Sequence, residues 1–330
     1  MVQVESLTKG TARYTGRIRW TRLRIRTGPN TVKIAVTGAT GFVGRYIVAH
    51  LTSGKHQCRC WFRPESDRSG LTADSIEWVE GGLYDAAAGR SLVDGCDAVI
   101  HAALHHPGGG FRGGEGELLS FVEKNVLGTL QLIEAARAAG VGRFVFISSC
   151  AVHERILDDR PLNETHPVWP TSHYGAHKAA IEKFVHSFGF GLGYPICALR
   201  PTGVYGLAQP APDSKWFDLV QAVVRGKSVT CRRGGKEVHA ADVAKAAEIL
   251  LTAEGIAGEA YNCCDRYVSD YEVATIAREL CDSHAAIEGG PTKPKHNIVT
   301  KKLEALGMRF GGEPLLRQTI GQLVEAARKD

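Results

Sequence analysis

The 330-residue chain is 44% hydrophobic and 23% charged, a globular composition with enough apolar content for a substantial core. That excludes a disordered, collagen-like or disulfide-stapled protein, and no run of about 18 apolar residues marks a membrane-spanning helix. The net charge of +5 comes from residues 1–31, where seven lysines and arginines stand against Glu5, so the remaining body offers no basic face for nucleic acid.

In that arm Arg22, Arg24 and Arg26 alternate with Leu23 and Ile25, a strand-like period unlike the amphipathic helix of a transit peptide. No apolar stretch fits a secretory signal. Three explanations stay open: a mis-assigned start with the folded chain opening at Val32, a flexible basic extension, and a targeting segment. Function is read from Val32 onward.

Val32 to Thr37 is a short β-branched run, followed by Gly38-Ala39-Thr40-Gly41-Phe42-Val43-Gly44 and a helical pattern through Ile47, Val48 and Leu51. A backbone without Cβ at Gly38, Gly41 and Gly44 can approach a pyrophosphate, whose charge then faces the helix N-terminus. The next strand, Gln57 to Phe62, ends where a Rossmann protein that prefers NAD places a carboxylate. Arg63 stands there instead and matches a 2′-phosphate, which favours NADP(H) over NAD(H).

Strands follow at Ile76 to Glu80 and Ala98 to Ala103, then a helix from about Leu118 to Ala139 and a strand at Arg143 to Ser149. Alternation of this kind predicts an α/β fold, a doubly wound parallel sheet of Rossmann type with ligands at the carboxyl ends of its strands. The helical stretch that follows carries Tyr174 and Lys178 four residues apart, hence on one face. A lysine ammonium beside a phenol lowers the tyrosine pKa towards that of a working acid/base, and a serine hydroxyl can bond the same substrate oxygen. Lys178 is also placed to hold a nicotinamide ribose.

The nine cysteines include no CxxC pair, and Cys58/Cys60 and Cys263/Cys264 are too close for zinc ligands. Reduced thiols, no metal and a cytoplasmic location are expected. Past residue 210 the strand-helix rhythm loosens, so the expected organisation is residues 1–31 as the arm, 32–209 as the dinucleotide-binding domain and 210–330 as a smaller substrate-binding part sharing elements with it. Ser269-Asp270-Tyr271-Glu272 reads as a capping box opening a helix through Cys281. Leu315, Ile320, Leu323 and Val324 mark a last amphipathic helix.

TGATGFVG at Thr37 to Gly44, DAVIHAA at Asp97 to Ala103, NVLGTLQLIEAA at Asn125 to Ala136, FVFISSCAV at Phe144 to Val152, YGAHK at Tyr174 to Lys178 and LRPTGVYG at Leu199 to Gly206 occur in this order. In them the chain resembles the extended short-chain dehydrogenase/reductase family, the NAD(P)-dependent epimerases and dehydratases typified by UDP-glucose 4-epimerase. The resemblance implies Ser149, Tyr174 and Lys178 as the catalytic set, with Asn125 near them. It implies cofactor contacts from Gly38, Thr40, Gly41, Phe42, Val43 and Gly44, and from Arg63, Leu83, Ala102 and Lys178. Ser148 is expected to support the strand end and His101 to pack in the sheet, while His177 points elsewhere on its helix. A homodimer through the helices at Leu118 to Ala139 and Ser172 to Phe188 is the family's habit.

Three positions depart from the family pattern. Gly82 replaces the acidic residue that touches adenine, with Asp85 three residues on. Gly203 replaces the asparagine that holds a nucleotide diphosphate in 4-epimerases, and the arginine expected before Val238-His239-Ala240-Ala241-Asp242 is not in place. A small-molecule substrate is expected from the segments His105–Arg112, Cys150–Thr165 and Thr202–Asp213, with the glycine-dense segment Pro107 to Gly116 closing over it through Phe111 or Arg112. Arg63 and Gly203 favour an NADPH-dependent carbonyl reductase over the alternative, a redox-neutral nucleotide-sugar epimerase or dehydratase. A non-catalytic NADP(H) sensor is the rival from another class, and it has no need of Ser149, Tyr174 and Lys178 together.

Overall fold

A computed structural model describes residues 32–108 and 113–329. The N-terminal arm, Phe111 and Arg112 lie outside the described residues.

The chain opens with the expected β1 (Lys33–Thr37), α1 (Phe42–Ser53), β2 (Gln57–Phe62) and β3 (Ile76–Glu80); α2 (Ala86–Val93), absent from the expected elements, then leads to β4 (Ala98–His101), shorter than the expected Ala98 to Ala103. The long expected helix is interrupted. α3 (Leu118–Val122) passes through a π-helical turn at Glu123–Leu127 into α4 (Gly128–Ala138). Then come β5 (Arg143–Ile147), α5 (His173–His186), β6 (Ile196–Pro201), β7 (Gly203–Tyr205), α6 (Phe217–Val224), β8 (Val229–Cys231), β9 (Gly234–His239) and α7 (Ala240–Thr252). The chain ends with β10 (Glu259–Cys263), β11 (Arg266–Ser269), α8 (Asp270–Cys281), β12 (Ile287–Gly289), α9 (Lys301–Glu304) and α10 (Gly312–Ala327).

Seven strands form one parallel sheet in the order β10-β6-β5-β4-β1-β2-β3. The order reverses between β1 and β4, the point where a doubly wound sheet opens a crevice at its carboxyl edge. Both faces are covered, which is why the central strands read as unbroken apolar runs. One apolar layer joins Ile34, Val36, Ile100 and Val145 to α1 and α7. The other joins Val99, Phe144 and Phe146 to α2, α4 and α5.

The edge strand β10 arrives from beyond residue 210, so the C-terminal stretch both completes this sheet and builds a third core around α6, α8 and α10. There Ser269 caps α8 by accepting from the Glu272 amide, while the Glu272 carboxylate pairs with Arg266 at 2.7 Å. In α10, Leu316 is buried with Ile320, Leu323 and Val324, and Leu315 stays half-buried. No helix among the described residues is long and apolar enough to cross a membrane. All nine cysteines are free thiols, and no group of three or more His, Cys, Asp or Glu among the described residues is placed to hold a metal ion.

Candidate active site

The carboxyl ends of β1, β2 and β4 enclose a cavity of about 430 Å³ lined by Gly38, Thr40, Gly41, Arg63, Leu83 and Ala102, among others. The turn that shapes it requires glycine at two positions. Gly38 has φ +71°, and a Cβ there would lie 2.7 Å from the Ala103 nitrogen. A Cβ on Gly44 would lie 1.9 Å from the Gly38 oxygen, so the first turn of α1 packs directly on the loop. The cradle, the helix N-terminus and the cations Arg63 and Lys124 in the lining fit a dinucleotide. Arg63 is exposed and pairs with Glu65 at 3.1 Å. Asp85 lies apart from this lining and caps α2, accepting from the Ala87 and Ala88 amides.

A second cavity of about 530 Å³ adjoins it, since Ala102 and Leu104 line both. Its walls bring together Ser149, Tyr174 and Lys178 with Phe42 and Val43. Ser149 follows β5, where its hydroxyl accepts from the Ala151 amide at 3.1 Å. Tyr174 and Lys178 occupy the first turns of α5, whose N-cap Ser172 accepts from the Gly175 amide. Lys178 Nζ donates to the Ile147 carbonyl at 2.8 Å and lies 5.9 Å from the Tyr174 ring.

The electrostatics differ from the expectation. Burial pushes the Tyr174 phenol above its ordinary value, and the hydrogen bond from Ser149 opposes this without reversing it. Burial also drives Lys178 down to about 7, with Glu182 pulling the other way. Burial thus disfavours the charged form of the lysine as well, and Lys178 is not among the groups that lower Tyr174.

Asn125 is not brought to the catalytic cavity. It sits in the π-helical turn, where its Oδ1 accepts from the His105 amide at 2.8 Å and its Nδ2 donates to the His105 carbonyl at 2.9 Å. It therefore clamps the segment after β4. His101 is buried between Thr37 and Thr129, at 2.6 and 2.8 Å, and burial lowers it to about 3. His177 faces Phe121 and the Tyr174 ring and is held down to about 2, chiefly by burial. Neither histidine is poised as an acid at neutral pH.

Several supporting residues carry no motif of their own. Arg200 and Glu182 form a buried bidentate pair at 2.9 and 2.7 Å; Ser148 donates to the same carboxylate at 2.5 Å, and Arg200 reaches His153 Nε2 at 3.0 Å. This network ties the end of β5 to α5 and β6. Glu154 accepts from the Thr171 and Ser172 amides at the entry to α5. The signal available in the sequence was the i+4 step from Lys178 to Glu182, which continues the Tyr174 face of the helix.

Gly203 and Lys236 also line the catalytic cavity. A Cβ on Gly203 would come within 2.5 Å of Glu237 Oε2. Glu237 is buried and held by Lys215 Nζ at 2.6 Å. The position where the resemblance places an asparagine is thus backed by a carboxylate.

The sequence model of the NAD dependent epimerase/dehydratase family matches residues 34–264. The chain belongs to that family. The extended short-chain dehydrogenase/reductase resemblance carried by its motifs is therefore borne out. Among relatives of this epimerase/dehydratase chain is the trifunctional UDP-glucose 4,6-dehydratase/UDP-4-keto-6-deoxy-D-glucose 3,5-epimerase/UDP-4-keto-L-rhamnose-reductase of Arabidopsis thaliana, 25% identical over 87% of this chain and 46% of the relative. The chain thus spans about half the length of that protein. A dTDP-D-glucose 4,6-dehydratase of Mus musculus is 28% identical over 75% of this chain and 72% of its own. A 4-hydroxy-2-methyl-3-oxo-4-farnesyl-3,4-dihydroquinoline-1-oxide ketoreductase of Stigmatella aurantiaca is 30% identical over 70% and 67%. The fold matches the Thermus thermophilus UDP-glucose 4-epimerase in complex with NAD at a TM-score of 0.72 and 24% identity, covering 90% of this chain and 99% of that one.

Proposed function

We propose that the protein exchanges a hydride with a bound nicotinamide dinucleotide at a secondary alcohol or ketone carbon of a small molecule, with Tyr174 moving the hydroxyl proton. The observation that carries this reading is the hydrogen-bonded Ser149 and Tyr174 in a cavity that shares Ala102 and Leu104 with the dinucleotide cradle. The nicotinamide, when bound, gives or takes the hydride. Ser149 orients the substrate oxygen, and Tyr174 protonates or deprotonates it. Lys178 fixes the ribose side and supplies charge when protonated. Asn125 positions the segment after β4.

For the net outcome, the family and the named dehydratase relatives support a redox-neutral epimerisation or dehydration of a sugar-type substrate. This reverses the preference for net reduction drawn from sequence. NADPH-dependent carbonyl reduction stands as the second reading because Arg63 occupies the end of β2 and Glu237 backs Gly203. Exposed Leu119 and Leu127, with Phe184 on α5, support a homodimer through these helices, which sedimentation across a concentration series tests.

The deciding experiment pairs a spectrum of the purified full-length protein with titrations of NADPH and NADH. Retained NAD(H), together with turnover of UDP-glucose or dTDP-glucose, is the expected result. Freely exchanging NADPH whose preference disappears in Arg63→Ala would replace it with the reductase. Unchanged turnover in Tyr174→Phe would overturn both.

A further inference from the structure

Arg63 is not the only positive group in the dinucleotide cavity. Lys124, from the π-helical turn, and His105, from the segment after β4, line it as well, and Lys124 Nζ lies 3.4 Å from His105 Nε2. The described residues of this lining include neither Asp nor Glu. The backbone of His105 is pinned on both its amide and its carbonyl by Asn125, so the imidazole is carried on a fixed stem.

An ammonium that donates to an imidazole keeps that ring neutral. Burial comes first in holding His105 below its ordinary value, then Lys124 across the contact, Arg63 from the end of β2, and His106 beside it. Arg63 shares its charge with Glu65, and Asn125 adds none. A phosphate entering the cavity would draw the lysine away from the ring and cancel the repulsion that keeps the ring unprotonated.

We propose that Lys124 and His105 together grip a phosphate of the dinucleotide, and that His105 takes up a proton as they do so. The inference rests on the dinucleotide-binding part of the proposed function and is independent of the reaction. The phosphate is either the diphosphate, common to both cofactors, or the 2′-phosphate of NADP(H).

The test uses the full-length protein and its Lys124→Met and His105→Asn variants, both at partly exposed positions, with thermal unfolding as the check on folding. NADPH, NADH, ADP and 2′-AMP are titrated at pH 6 and pH 8, with calorimetry in two buffers of different ionisation enthalpy. Loss of a charged phosphate contact is expected to weaken binding roughly tenfold in Lys124→Met. Equal loss for NADH and ADP assigns the diphosphate; loss confined to NADPH and 2′-AMP assigns the 2′-phosphate. Wild-type binding should tighten from pH 8 to pH 6 with net proton uptake, and His105→Asn should abolish that uptake. Unchanged affinity in both variants, or no proton uptake by the wild type, overturns the proposal. Wild-type protein that binds none of the four ligands overturns the dinucleotide reading itself.

Discussion

The dinucleotide cavity is shaped by backbone and edged by exposed charge, whereas the catalytic cavity on the same sheet edge depends on buried side chains that hold one another. In the first, glycines at 38, 41 and 44 let chain approach chain, and Arg63 reaches in from the surface. In the second, Lys178 rests on the Ile147 carbonyl, Ser148 on Glu182, and Glu182 on Arg200. A backbone-made site tolerates change at its rim but not at its glycines. A site made of interlocked side chains fails wherever one partner is removed, because the remaining charge or donor has no water to turn to.

The widest separation between the two regions is expected from Tyr174→Phe. Removing only the hydroxyl should lower kcat/KM by about 10²–10⁴-fold, the range of general acid-base catalysis, while dinucleotide affinity stays within about twofold. A comparable loss of cofactor binding would show that the two cavities act as one unit. Next comes Glu182→Ala, which leaves Arg200 buried and uncompensated; both side chains are about 1% exposed. Breaking such a pair costs roughly 3–5 kcal/mol. Denaturant unfolding at pH 7 measures it, and a cost under about 1 kcal/mol would mean that water replaces the carboxylate and the pocket is less dry than its geometry implies.

The same contrast explains what was legible in the sequence. Gln57–Phe62 and Ile76–Glu80 have the bounds expected of them, because each is a short local run set off by its neighbours, even though β3, at the sheet edge, has no fully buried residue. The glycine turn was legible for the same local reason. Arg200 and His153 were not, since they join Glu182 only after three elements have packed, and no periodicity encodes a contact across 18 or 47 residues. The long helix at Leu118 to Ala139 hid the π-helical turn that aims Asn125 at His105, because apolar periodicity is blind to one extra residue in a turn. The tyrosine and lysine were found as a pair, but the sign of the tyrosine's shift depends on burial, which a four-residue spacing does not contain.

A third comparison uses pH. Lys178 falls to about 7 in the folded protein from an ordinary value of 10.5. Between those values the unfolded chain binds a proton that the native state does not, so this lysine makes stability rise as pH increases through the window and contributes no slope below it. The effect across the window is on the order of a few kcal/mol. Lys178→Met should remove the rise, leaving the variant more stable relative to wild type at pH 7 than at pH 9, with activity lost throughout. Parallel stability profiles for the two proteins would mean that Lys178 is hydrated in solution.

The smallest effect belongs to Asp85, which tests whether the dinucleotide side has any side-chain acid at its adenine end. The family's acidic position is Gly82 here, and Asp85 is the first carboxylate that follows it along the chain. Its Oδ1 accepts from the Ala87 and Ala88 amides at 3.0 and 2.9 Å, an arrangement that satisfies the first orphan donors of α2 and points the carboxylate along the helix axis. Asp85→Ala should therefore cost about 1 kcal/mol of stability, the ordinary price of an N-cap, and leave the affinities for NADH and NADPH unchanged. Asp85→Asn should recover most of the loss, since its amide oxygen caps equally well. If affinity for both dinucleotides instead falls several-fold while stability holds, Asp85 leaves the cap to meet adenine, and the cavity recognises its ligand by a side chain that the glycine at position 82 had displaced by three residues.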